Sequence, residues 1–170
     1  MRRIKRTTLR FFFDYGAMPL WTNDPYTREQ FGYNVDLEEI GLTPATIALA
    51  RLCSDLYWDR LNPVHPLFPE LWSGEMCLFY QQNVKRLYDS IIREIGDKFE
   101  ILNEVEGIMT ADIDVRQINW DLAKFLADPM AYAFEHGIDF NVAPEQGKAI
   151  MHSAYKKWKK RESSILTRYG

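Results

Sequence analysis

The sequence predicts a helix-rich α+β fold, one compact domain over residues 1–170 with a small, mainly antiparallel sheet packed against helices. Three patterns carry this expectation. Leu9, Phe11, Phe13 and Tyr15 alternate with Thr8, Arg10, Phe12 and Asp14, the period-two signature of a strand with one buried face. Phe99, Ile101 and Val105 alternate in the same way with Glu100, Leu102, Glu104 and Glu106. Between them, Met76, Tyr80, Val84, Leu87, Ile91 and Ile95 recur at helical spacing.

The elements follow in chain order. After the first strand, Gly16, Pro19 and Asn23-Asp24-Pro25 supply turn chemistry, so residues 16–43 are expected as ordered loop carrying Trp21, Tyr26, Phe31 and Tyr33. Thr43-Pro44 is a helix entry, with Thr as cap and Pro where a missing amide costs nothing. Leu49, Leu52, Cys53 and Leu56 then continue a helix to about Arg60. Pro63, Pro66 and Pro69 fix φ and make a stiff connector holding His65, Phe68 and Trp72. Ser73 caps the second helix, and Gly96 is available as its left-handed stop.

Residues 108–113 can continue a hairpin from the second strand. Asp114 and Gln117 resemble a capping box before Val115, Ile118, Leu122, Phe125 and Leu126, a third helix that stops before Pro129. A short helix over Ala131 to His136 ends at Gly137. Pro144 opens a last long helix whose expected buried side is Ile150, Met151, Ala154, Tyr155, Trp158 and Ile165. A subdivision into an α/β part, 1–107, and a helical part, 108–170, is the alternative to one domain.

With 46% hydrophobic, 14% aromatic and 26% charged residues, the chain has enough apolar surface for a substantial core. No apolar run approaches the ~18 residues that span a bilayer. The basic start Met1-Arg2-Arg3-Ile4-Lys5-Arg6 lacks the apolar stretch of a signal peptide, so it is expected to stay on the protein. Cys53 and Cys77 sit in apolar helical patterns as small buried side chains, which fits a reducing compartment, the bacterial cytoplasm.

A net charge of −3 hides segregation. Residues 1–10 carry five bases and no acid, and residues 156–170 carry six bases against Glu162, leaving residues 11–155 at −13. An acidic body favours a basic partner and repels nucleic acid. The series Lys156-Lys157 and Lys159-Lys160-Arg161 around Trp158 resembles a phosphate-binding stretch, but equally a helix with its Trp inward and its lysines in water.

The chain holds no HExxH, zinc-spaced Cys/His cluster, calcium loop, GxSxG elbow or glycine-rich phosphate loop. No metal or cofactor is called for. His65, His136 and His152 are scattered, and His136 before Gly137 suits a helix C-terminus. The pairs Glu104/Glu106 and Asp112/Asp114 put carboxylates two apart, as some metal and glycosidase sites require, yet a solvated face gives the same spacing.

Phe13-Asp14-Tyr15-Gly16 with Pro19-Leu20-Trp21, followed by Val35-Asp36-Leu37-Glu38-Glu39-Ile40-Gly41-Leu42-Thr43-Pro44, resembles the opening of a group of small bacterial proteins. These are immunity proteins of polymorphic toxin systems, including contact-dependent growth inhibition. The resemblance implies a cytoplasmic, non-enzymatic inhibitor that binds a cognate toxin domain and blocks its active site or access to substrate, and the acidic body leads us to expect that domain to be basic. It carries over no site residues.

The acids expected to meet such a partner are Asp36, Glu38, Glu39, Glu104, Glu106, Asp112 and Asp114, with an exposed aromatic, Trp72 or Tyr26, as anchor. The oligomeric state is left open, a homodimer included. A rival reading is a nucleic-acid-binding or regulatory module using Arg2, Arg3, Lys5, Arg6 and the Lys156 to Arg161 series. A third is a small hydrolase-type enzyme pairing an acid with His65 or His136.

Overall fold

The computed structural model describes residues 7–170, so the basic series Arg2, Arg3, Lys5 and Arg6 lies outside the described residues. The elements run β1 (Thr7–Phe11), β2 (Leu20–Thr22), α1 (Pro25–Phe31), α2 (Pro44–Asp59), α3 (Gly74–Ile95), β3 (Phe99–Asn103), α4 (Glu106–Thr110), α5 (Val115–Ala127), α6 (Pro129–Glu135) and α7 (Pro144–Tyr169). The class is the α+β one expected. Two compact units form: the first takes the described residues through Trp58 together with Tyr80–Ala111, and the second takes Asp59–Phe79 with Asp112–Gly170.

The first unit holds the sheet, in the order β2-β1-β3. β1 pairs antiparallel with β2, Phe11 opposite Leu20, and parallel with β3, Phe11 opposite Asn103. The sheet is therefore mixed rather than mainly antiparallel. The cause is the long connection through α2 and α3, which returns β3 in the direction of β1 as a parallel crossover must. The alternation of the first strand outlasts the strand itself. β1 stops at Phe11, Phe13 stays buried, and the chain turns at Asp14 so that Tyr15 comes out to 41% exposure.

The span 16–43 is not a plain loop. β2 is three residues long, too short to show periodicity, and Asn23-Asp24-Pro25 opens a helix instead of a turn. Asp24 Oδ1 accepts the Thr27 amide at 2.9 Å and Thr27 Oγ1 accepts the Asp24 amide at 3.3 Å, a capping box with Pro25 in the first turn. α1 ends at Gly32, whose φ of 74° needs a residue without Cβ.

Against the sheet, α2 buries Ile47, Ala50, Cys53 and Leu56, and α3 buries Tyr80, Val84, Leu87, Ile91 and Ile95, the stripe its spacing predicts. Each buried Val, Leu or Ile among these contributes roughly 1.5–3 kcal/mol of transfer free energy. Gly96 ends α3 without the expected left-handed conformation. The alternative of a hairpin continuing over 108–113 is not what forms. α4 occupies its first part, and buried Gln81 donates Nε2 to the carbonyls of Ile108 and Ala111 at 3.0 and 2.7 Å, which fixes the segment without strand pairing.

The second unit is helical. Asn62 orders the proline connector: its amide donates to the Pro69 carbonyl at 2.9 Å and its oxygen accepts the Val64 amide at 3.0 Å. Phe68 then sits among Phe125, Tyr132 and Phe140, at centroid distances of 5.5, 6.3 and 5.2 Å. Asp114 caps α5 through the Gln117 amide, but Gln117 turns its side chain to Asp121, so half of the expected box forms.

α7 buries Gly147, Met151, Trp158 and Glu162, a phase that leaves Ile150 37% exposed, contrary to expectation. A Cβ at Gly147 would run into the Met130 thioether of α6, so a larger residue there requires that flexible side chain to move.

Candidate partner-binding surface

The predicted acids separate into three places. Asp36, Glu38 and Glu39 share one exposed turn before α2, where Asp36 Oδ1 accepts the Glu38 and Glu39 amides at 2.8 and 3.2 Å. Glu104 and Glu106 flank the exit of β3 in the same unit, both exposed. Asp112 and Asp114 belong to the second unit, also exposed, with Asp114 occupied as the α5 cap.

Glu104 is already engaged within the fold. Arg10 grips it with Nε and Nη2 at 2.6 and 2.7 Å, and the guanidinium also lies over the Phe12 ring. That hydrogen bonding holds the Glu104 carboxyl below, and the Arg10 guanidinium above, its ordinary value. Glu38 has a looser partner, Arg51 Nη2 at 3.8 Å. Glu39, Glu106 and Asp112 stand in solvent.

Trp72 corrects the expected anchor. It is 2% exposed, stacked on Trp158 at 6.0 Å, because the connector tucks it under α7. Tyr26 is exposed at a shallow hollow shared with Thr8, Asp24, Lys98 and Phe99. The amides of Thr27 and Thr8 hold the Asp24 carboxyl below its ordinary range there.

Sequence reading missed a second aromatic pair. Trp58 is 55% and Tyr15 41% exposed, their rings edge-to-face at 4.9 Å. Behind them Tyr57 touches Tyr15 at 5.2 Å and stacks on buried Phe13 at 5.5 Å. Trp58 closes the outward face of α2, on which Pro44, Ala48, Arg51, Asp55 and Trp58 follow one another at spacings of four and three. The signal was present: Trp58 lies off the Cys53 and Leu56 stripe, on the polar side.

The second unit carries a groove of about 630 Å³ lined by the rings of Trp72, Phe125 and Tyr132 and by the charged groups Glu70, Asp121, Lys124, Asp128 and Glu135, with His136 among them. Several of these groups are engaged within the fold. His136 stacks on Tyr132 at 3.9 Å and donates Nδ1 to the Tyr132 carbonyl at 2.9 Å, Glu70 pairs with Arg60 at 2.7 Å, and Asp128 caps α6. His65 accepts the Leu67 amide and His152 donates to the Leu126 carbonyl. Burial pushes the Cys53 and Cys77 thiols up to about 12, so both stay protonated and poorly nucleophilic.

In the basic C-terminal series, Trp158 is buried and donates Nε1 to Glu162 at 3.0 Å, while Lys156, Lys157 and Lys160 face solvent. Its ring is thus withdrawn from base stacking. Among the described residues, no group of histidines, cysteines and acids could hold a metal ion, and no helix is long and apolar enough to cross a membrane.

The profile of the Serratia CdiI immunity protein-like family matches residues 7–104, more than half of the chain. The chain belongs to this family. No curated protein matches it. The family region runs from β1 to the end of β3 and includes Tyr15, the Asp36 turn, α2 and Glu104, whereas Glu106, Asp112, Asp114 and α4–α7 lie beyond it.

Proposed function

We propose that this chain is an immunity protein that acts in the cytoplasm by binding a cognate toxin domain stoichiometrically, without catalysis. Family membership over residues 7–104 is the observation that carries the reading. The charge of the molecule supports it: an acidic body between basic ends would steer a basic toxin domain onto the protein and offset its charge. Of the predicted acids, Asp36, Glu38 and Glu39 suit direct contact best, since they share one exposed turn inside the family region. Glu106, Asp112 and Asp114 offer further exposed charge, and Glu104 would have to exchange Arg10 for the partner.

Co-expression with the toxin domain from the adjacent reading frame tests the reading. The expected result is restored growth and a co-purifying complex of fixed stoichiometry. A toxin that kills equally well with and without this chain would refute it.

A further inference from the structure

We propose that the outward face of α2, ending in the paired rings of Trp58 and Tyr15, is the surface on which a basic face of the toxin domain docks. The inference rests on the toxin-binding reading above and assigns its contact region. The two rings are large, exposed and held in place. Their edge-to-face contact at 4.9 Å continues through Tyr57 to Phe13, which is 5% exposed in the core. A pair anchored in this way is ordered before a partner arrives, so docking on it costs little side-chain entropy. Trp and Tyr are also the residue types that most often dominate binding energy once water is excluded around them.

The rest of the face suits a flat approach. Pro44 and Ala48 project little, and from Pro44 to Trp58 the helix offers about 21 Å at 1.5 Å per residue. Charge selects the occupant. Asp14 adjoins Tyr15, Asp55 lies one turn before Trp58, and the Glu38–Arg51 pair at 3.8 Å brings the Asp36 turn beside the middle of the helix. Arg51 is the cation among the exposed positions of this helix, and it leans on that acid. Exposed aromatic rings at one end of a face flanked by acids fit a partner with lysines or arginines beside an apolar patch. A second copy of this chain would set the same acids against each other across a two-fold axis.

The test is a binding titration of the purified toxin domain against full-length wild type and variants whose melting temperatures are measured alongside. Trp58→Ala is expected to raise Kd at least about 30-fold and Tyr15→Ala about tenfold, with Trp58→Phe recovering part of the loss. Asp55→Lys is expected to slow association several-fold and to weaken its salt dependence. Phe134→Ala, which removes an 89% exposed ring from the second unit, should leave Kd within twofold. If wild type binds and both Trp58→Ala and Asp55→Lys bind within twofold of it, the docking surface is wrong while toxin binding stands. If wild type does not bind, the functional reading fails and the surface with it. A wild-type dimer dissolved by Trp58→Ala would replace the toxin by a second copy and overturn the assignment.

Discussion

Both units begin a helix with the same device and bury it to different depths. In the first, Thr43 caps α2, accepting the Thr46 amide on Oγ1, and the amide of Thr43 itself donates to Glu94 Oε2 at 2.8 Å. In the second, Ser73 caps α3, accepting the Met76 amide at 3.1 Å, and its own amide donates to Glu162 Oε2 at 3.0 Å. A local capping box takes that second bond from the third helical residue. Here the position holds Thr46 or Met76, and a glutamate 51 or 89 residues away supplies the carboxylate. Glu94 is half-exposed, with Thr43 and Thr46 hydroxyls as further donors, whereas Glu162 is 2% exposed and also accepts Trp158 Nε1 and Lys159 Nζ. The same bond near solvent can be replaced by water; inside, its donors have nowhere else to go.

The largest effect therefore belongs to Glu162. Glu162→Ala strands the Ser73 and Trp158 N–H groups in a closed site and should cost about 2–4 kcal/mol in urea unfolding. Glu162→Gln, which keeps an acceptor oxygen, should cost clearly less. Equal losses for the two variants would mean that the charge, and not the acceptor, holds this helix start.

Glu94 sharpens the contrast through pH. Burial pushes its carboxyl up, but the Thr43 amide and the Thr46 and Thr43 hydroxyls outweigh that and hold it below its ordinary 4.5. A carboxyl depressed in the folded state binds its proton more readily when unfolded. Its contribution is thus complete above the unfolded value near 4.5 and is lost as pH falls through the lower folded value. Urea midpoints should drop between pH 6 and pH 3.5, and Glu94→Gln should reduce that drop. An unchanged pH slope in the variant would remove Glu94 from the account.

Legibility followed sequence distance. The α3 stripe, the Thr43 and Ser73 caps and the Asp114 cap were readable because each is set by neighbours within one helical turn. The glutamates that complete those caps were not, since nothing local relates Thr43 to Glu94 or Ser73 to Glu162. One hint existed: Glu162 is the single acid in a C-terminal segment with six bases. β2 and α1 escaped because three residues show no period and Asp24-Pro25 serves a turn and a helix start alike. The parallel direction of β3 depends on how α2 and α3 carry the chain back. On the candidate surface, the Asp36 turn was foreseen from charge. Trp72 and Trp58 were not told apart, because exposure depends on what packs over a ring, and Trp158 covers only Trp72.

The smallest effect on stability is expected at Glu104, although Arg10 holds it with two hydrogen bonds, at 2.6 and 2.7 Å. At 38% and 37% side-chain exposure both groups keep much of their hydration when apart, so Glu104→Gln should cost under about 1 kcal/mol and less still in high salt. That mildness makes it a clean probe of binding. If a toxin domain displaces Arg10 to reach this carboxylate, Glu104→Gln should weaken the complex at least fivefold with the melting temperature nearly unchanged. If Arg10 keeps it, the variant should bind like wild type, and contact would rest on acids with looser partners, Glu38 foremost. Measuring Kd and unfolding on the same preparation separates a carboxylate that serves the fold from one that serves the partner.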